Sequence, residues 1–250
     1  AVRALDRKLV RDLKRLWAQP WATAAVIAGG VATLLLAVGS HHSLDETRAA
    51  YYERYDFADV FAHARRAPEF LIGDIARIPG VAAAETHVME LALLDVPNFR
   101  EPATGQFISL PGRTGQILNR LFMRQGRMPD PESDEEVIVN EDFAVAHGFG
   151  PGSRFAAILN GRRRDLIIVG TALSPEFIFA VGPGDIMPDN SRFAVVWMPE
   201  KALAGAYNLR GAFSSVSLKL LRNASEQDVI QRLDRILEPY GGSAAYGRKD

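Results

Sequence analysis

The sequence predicts an α+β fold: an N-terminal amphipathic helix and a single transmembrane helix, then a mixed α+β extracytoplasmic domain. Three observations carry this expectation. Leu16 to Ser40 is a run of 25 residues without a charge. Beyond it, helix-like and strand-like periodicities follow one another irregularly. Among them, Asn160-Gly161 separates two strand-like runs, the local signature of a hairpin with a type I′ turn. Four segments are therefore expected: residues 1–15, a cytoplasmic basic helix; 16–40, the span; 41–57, a stalk helix; and 58–250, the outer domain.

In the first segment Val2, Leu5, Leu9, Leu13 and Leu16 recur at helical spacing. Arg3, Arg7, Arg11, Lys14 and Arg15 fall mostly off that face, and Lys8 is the sixth basic residue. Such a helix suits the surface of an anionic leaflet. With only Asp6 and Asp12 against six basic residues, this stretch carries +4. The whole chain carries −1, so the remainder carries −5. Basic residues before the span put the N-terminus in the cytoplasm and residues from about 41 outside, in the periplasm of a bacterial inner membrane. Trp17 and Trp21 stand at the headgroup end of the run, and Pro20 lies in a first turn, where it need not break a helix. Ala25, Gly29, Thr33 and Ala37 repeat every four residues and offer a small-residue face for helix packing, although small residues are also simply common in membrane helices. A cleaved signal peptide is the competing reading, with Ala37-Val38-Gly39 as its cleavage site. The apolar run exceeds the roughly 7–15 residues of a signal core, which favours a retained anchor.

Asp45 to Tyr55 reads as the stalk helix and Ala58 to Ala62 as a short strand. Pro68 to Ile78 is expected as an amphipathic helix with Phe70, Leu71, Ile75 and Ile78 on one face, ended by Pro79-Gly80. Val81 to Val96 supplies one long or two short strands, and Gln106 to Leu110 another. Glu136 to Val139 is a strand, Glu141 to His147 a helix and Gly148 to Gly152 a turn. The hairpin arms are Arg154 to Leu159 and Arg162 to Ala172. Phe193 to Met198 reads as a strand, Pro199 to Tyr207 as a helix and Val216 to Leu221 as a strand. Ser225 to Leu237 closes the set as an amphipathic helix burying Val229, Ile230, Leu233, Ile236 and Leu237, with Ser225 and Asp228 placed as a capping box.

Composition removes several chemistries. The absence of cysteine excludes disulfide scaffolds, thiolate zinc sites, iron–sulfur clusters and Cys nucleophiles. A net charge of −1 argues against nucleic acid as a partner. The chain lacks the P-loop, dinucleotide-fold, zincin and serine-hydrolase motifs, so no catalytic residue, cofactor or metal site is expected. His41-His42 lacks a third ligand. Glu132, Asp134, Glu135 and Glu136, and separately Arg162, Arg163 and Arg164, read as solvated charge runs; Asn223-Ala224-Ser225 is a chance-level sequon, and Asp185 has no partner base.

One ordered set of residues carries more. Ile78-Pro79-Gly80-Val81 comes first, then Gly126-Arg127-Met128-Pro129, Glu136-Val137-Ile138-Val139-Asn140-Glu141 and Phe143-Ala144. Gly148, Pro151-Gly152, Asn160-Gly161, Leu166-Ile167-Ile168-Val169-Gly170 and Ser174-Pro175-Glu176 follow. The set resembles the periplasmic core domain of MacB-like, FtsX-family ABC transporter permeases. The resemblance implies a permease subunit that transmits motion from a separate cytoplasmic ABC ATPase to the periplasm. It also implies a second permease unit beside it and a periplasmic lipoprotein or adaptor as partner. Permeases of that family have at least four membrane helices and one is visible here, so the expectation is either the N-terminal portion of a longer chain, which is favoured, or a truncated relative. The alternative is a membrane-anchored periplasmic binding or adaptor module without an ATPase. The transported substrate is not legible.

Overall fold

The computed structural model describes residues 21–36, 55–112, 115–177 and 180–248. The chain divides into two compact units, residues 1–51 and 52–250. In the first, residues 21–36 form helix α1, with every residue exposed. The expected amphipathic helix over residues 1–15 lies outside the described residues, as does the stalk helix up to residue 54. Tyr55 itself stands in a turn.

The second unit is a mixed α+β domain with two sheets. The smaller sheet has the order β11-β1-β10-β2, all antiparallel, built from β1 (Val60–Pro68), β2 (Val81–His87), β10 (Ala212–Leu220) and β11 (Tyr246–Gly247). One face is covered by two helices. Leu71, Ile75 and Ile78, in and on either side of α2 (Ile72–Ala76), and Val229, Leu233 and Leu237 of α5 (Glu226–Leu237) pack on Val60, Ala62, Val216 and Leu218. Helix α5 begins where the sequence placed it. Ser225 is its N-cap, and its hydroxyl accepts a hydrogen bond from the Asp228 amide at 3.3 Å.

The larger sheet runs β5-β8-β6-β9-β4-β3-β7. Its strands are β3 (Met89–Asp95), β4 (Ala103–Leu110), β5 (Phe122–Gly126), β6 (Glu136–Asn140), β7 (Arg154–Leu159), β8 (Arg162–Leu173) and β9 (Phe193–Pro199). Strand β7 pairs with both β3 and β8, so the ladder closes on itself. Strand β8 is long enough to hold β7 along its first half and β5 along its second, while β6 runs parallel on its other edge. Strand β9 is buried over its whole length, which explains its unbroken apolar run. Ala194, Val196 and Met198 face a core shared with Phe143 of α3 (Glu141–His147) and Leu203 of α4 (Glu200–Ala206). Phe193, Val195 and Trp197 face the opposite core with Ile108 and Ile138.

Local chemistry accounts for the joints. Asn160 and Gly161 both adopt positive φ (48° and 78°), the pair that a type I′ turn needs between β7 and β8. Val81 to Val96 gives two strands, and they enter different sheets. Val88 between them is pinned to β4, donating to the Ser109 hydroxyl and accepting from the Ser109 amide. Three expectations need correction. Phe70 is 69% exposed, because Glu69–Leu71 is a 3-10 turn and shifts the phase of the short helix behind it. The strand expected at Ala58 to Ala62 starts at Val60 and continues to Pro68. The strand expected from Val216 begins at Ala212.

Candidate functional site

Of the residues the sequence singled out, Arg3, Arg7, Lys8, Arg11, Lys14, Arg15, Trp17 and Ala37 lie outside the described residues. Trp21, Ala25, Gly29 and Thr33 are on α1, the last three one turn apart on one face. The Thr33 hydroxyl donates to the Gly29 carbonyl at 2.9 Å, which satisfies it within the helix. A Cβ at Gly29 would meet nothing within 4 Å, so this face is open to a neighbour. Among the described residues no helix is long and apolar enough to cross a membrane. The described part of α1 spans about 24 Å at 1.5 Å per residue, and the remainder of the 16–40 run lies outside the described residues.

Within the α+β domain a polar concavity of about 580 Å³ lies where the two sheets meet. A bulge in β1 makes it: between His63 and Ala67 three residues of β1 stand opposite one residue of β10, Ser214. Such bulges re-aim side chains and break the pairing. The Ser214 hydroxyl crosses to the other sheet, accepting from the Met89 amide (2.8 Å) and donating to the Met89 carbonyl (3.0 Å). His63, Arg65, Glu90, Gln106 and Ser243 complete the polar lining. Burial pushes the His63 imidazole below its ordinary value and the Glu90 carboxyl above its own, so both lean towards neutrality. The His63 Nε2 lies 3.4 Å from the Tyr246 hydroxyl. Both serine hydroxyls of the cleft, those of Ser214 and Ser243, are turned to backbone carbonyls, so what this arrangement offers is hydrogen bonding to a bound polar group. Among the described residues no three His, Cys, Asp or Glu side chains converge as a metal site.

A second, open groove of about 830 Å³ runs between Leu110, Pro131 and Pro199 and carries Glu200, Lys201 and Arg210 on its wall. Glu132, from the acidic run, forms an ion pair with Lys201 there. Glu136 of the same run is not simply solvated. It receives both ends of the Arg127 guanidinium (2.8 and 2.5 Å) and the Asp130 amide (2.8 Å). The hydrogen bond from Arg127 is the main reason its carboxyl is held below the usual range. Arg163 of the basic run pairs with Asp95 at 2.9 Å.

Sequence reasoning missed a buried polar cluster, formed by Glu85 of β2, Asn119 in the loop before β5, and Glu176 after β8. Glu85 and Asn119 are both buried. One Glu85 oxygen, Oε2, accepts from the amides of Ile117 (3.2 Å) and Leu118 (2.6 Å), while Oε1 is buried without a hydrogen-bond partner among the described residues. The available signal was an acidic residue inside the run Val81-Ala82-Ala83-Ala84-Glu85.

No family model matches the chain, and no curated protein does. Solved structures do. The periplasmic region of MacB from Actinobacillus actinomycetemcomitans is 12% identical with a TM-score of 0.48, over 78% of this chain and 91% of that one. The extracellular domain of the noncanonic ABC-type transporter YknZ from Gram-positive bacteria is 12% identical with a TM-score of 0.45, over 76% and 98%. The α+β domain is similar to a MacB-like periplasmic core domain. A domain of a protein described as a permease, from Porphyromonas gingivalis, is 11% identical with a TM-score of 0.42, over 74% and 85%.

The residues that carried the sequence resemblance occupy joints of this domain. Gly126 ends β5 with φ 77°, opposite Gly170 of β8. Asn140 Oδ1 accepts from the Val195 amide at 2.9 Å, tying β6 to β9. Gly148, with φ 65°, caps α3.

Proposed function

We propose that this chain is the membrane-anchored N-terminal portion of an ABC-type permease subunit, with its α+β domain on the extracytoplasmic side. The observation that carries the reading is α1. Sixteen consecutive residues hold no charge and only two hydroxyl side chains, and all are exposed. A helix apolar on every side is stable only where lipid or protein surrounds it, and the uncharged stretch of 25 residues is long enough for a hydrocarbon core of about 30 Å. The +4 head before it and the −5 remainder behind it support a cytoplasmic N-terminus. The ordered motif set supports the permease family, because its glycines and its Arg127–Glu136 pair hold the turns that define the larger sheet.

In this reading a separate cytoplasmic ATPase supplies the energy, a second permease unit packs through the Ala25, Gly29, Thr33 and Ala37 face, and the α+β domain meets a lipoprotein or adaptor outside. The untruncated protein, solubilised in detergent from its own cells, is expected to co-purify with a nucleotide-binding ATPase and to bring ATP hydrolysis with it. Deletion of residues 16–40 should remove both. If the untruncated protein brings no ATPase down, the permease reading fails. The junction cleft favours a second reading, an anchored binding module, which predicts that outcome.

A further inference from the structure

We propose that Glu85, Asn119 and Glu176 form a proton-dependent latch, which fastens the segment leading into the α+β domain, residues 55–58, onto the domain. This holds whatever the domain is coupled to, and does not rest on the permease reading.

The geometry is a chain of hydrogen bonds through one loop. The Asn119 amide donates to the Asp56 carbonyl (3.1 Å) and the Arg120 amide to the Tyr55 carbonyl (3.0 Å). The Ala58 amide donates to Asn119 Oδ1 (2.9 Å). The three bonds hold the lead-in segment to the loop, and the loop is itself held from below. Glu85 Oε2 takes the Ile117 and Leu118 amides, and Asn119 Nδ2 donates to Glu176 Oε2 at 2.7 Å. Asn119 sits at φ 49°, a conformation that Asn tolerates better than most residues. Its side-chain amide therefore joins the lead-in segment at one end to Glu176 at the other.

The loop is held by two carboxyl groups, the buried Glu85 and the half-buried Glu176, close enough for the charge of one to act on the other. Burial, and after it the charge of Glu85, push the Glu176 carboxyl up to about 7, against the opposing pull of the Asn119 hydrogen bond. The Asn119 bond favours the ionised form, and burial outweighs it. Other groups around the pair are Tyr246 of β11, which senses the Glu176 charge, and Glu200 of α4, which senses that of Glu85. His87 lies on the Glu85 side of β2 and is bonded to the Ser109 carbonyl, and Ser217 of β10 lies 3.5 Å from Asn119 Nδ2. Among the described residues no cationic side chain bonds to either carboxyl, so a second charge there meets like charge and the unpartnered Glu85 Oε1.

The sign follows from the raised value. The closed state binds the Glu176 proton more tightly than an open state, in which the group titrates near 4.5. Latch stability is fully present below 4.5, falls as pH rises through about 7, and is flat above it. Converted by linkage, the opening constant rises by at most about 300-fold across that window.

The test is amide hydrogen exchange on the full chain in detergent micelles from pH 5 to 8.5, corrected for the intrinsic rate. Opening at Ala58, Leu118 and Asn119 should rise at least tenfold with a midpoint near 7, while Val229 in α5 stays constant. In Glu176→Gln the three amides should show no midpoint, and in Glu85→Gln the midpoint should move down. Opening that does not vary with pH in the wild type, or a midpoint that survives Glu176→Gln, overturns the latch. Should Glu176→Gln not fold, the wild-type profile and the direction of the Glu85→Gln shift decide it.

Discussion

Gly126→Ala should cost the α+β domain about 3 kcal/mol and free the β5 edge of the larger sheet, from a left-handed penalty of about 1–2 kcal/mol plus overpacking of about 1–3 kcal/mol. Gly126 has φ 77°, and a Cβ there would lie 2.1 Å from the Val169 carbonyl oxygen and 2.8 Å from the Gly170 Cα. Both near atoms are backbone, so no side chain can swing away. The partner is also confined: a Cβ on Gly170 would meet the Arg127 carbonyl at 2.8 Å. Two glycines face each other in register because the chain turns there to deliver Arg127 to Glu136. The urea midpoint, followed through Trp197 with Trp17 and Trp21 replaced by Phe, gives the measurement. Gly112→Ala, where a Cβ meets nothing within 4 Å, is the control and should be near neutral. A loss under about 1 kcal/mol for Gly126→Ala would contradict the close approach.

The second large effect is expected in the first unit. Ile27→Asp with Val31→Asp puts two carboxylates one turn apart on α1. At roughly 2.5–3.5 kcal/mol each on an insertion scale, the pair costs about 5–7 kcal/mol in a bilayer. The variant should leave the membrane pellet after an alkaline wash, whereas Ile27→Leu with Val31→Leu should remain. If the aspartate variant stays in the pellet, residues 21–36 are not what holds the chain to the membrane.

What the sequence made legible was local. The Asn160-Gly161 turn, the Ser225 cap and the unbroken apolar run of β9 each state their structure within a few residues. The division of Val81 to Val96 between two sheets was only half legible, as one long or two short strands, because the break is a single valine with no glycine or proline beside it. Strand β5 shows no alternation, since most of it is exposed and its pairing to β8 is set by glycines rather than by a buried face. Phe70 was misplaced because a 3-10 turn and an α-helix differ in phase, and composition does not distinguish them there. The candidate sites were harder still. The junction cleft depends on a bulge in β1 opposite Ser214, and the latch joins Glu85, Asn119 and Glu176 from three distant segments. No spacing rule links residues that come together only where strands of the two sheets and the loops between them meet.

The central claim is that a membrane lies between the basic head and the α+β domain. The chain has no cysteine, so single substitutions report cleanly. Lys8→Cys marks the head and Asp134→Cys an exposed loop of the domain. Treated in intact spheroplasts with a membrane-impermeant maleimide, Asp134→Cys should be labelled fully and Lys8→Cys only after lysis. Labelling of both before lysis, or of Lys8→Cys alone, would contradict the arrangement.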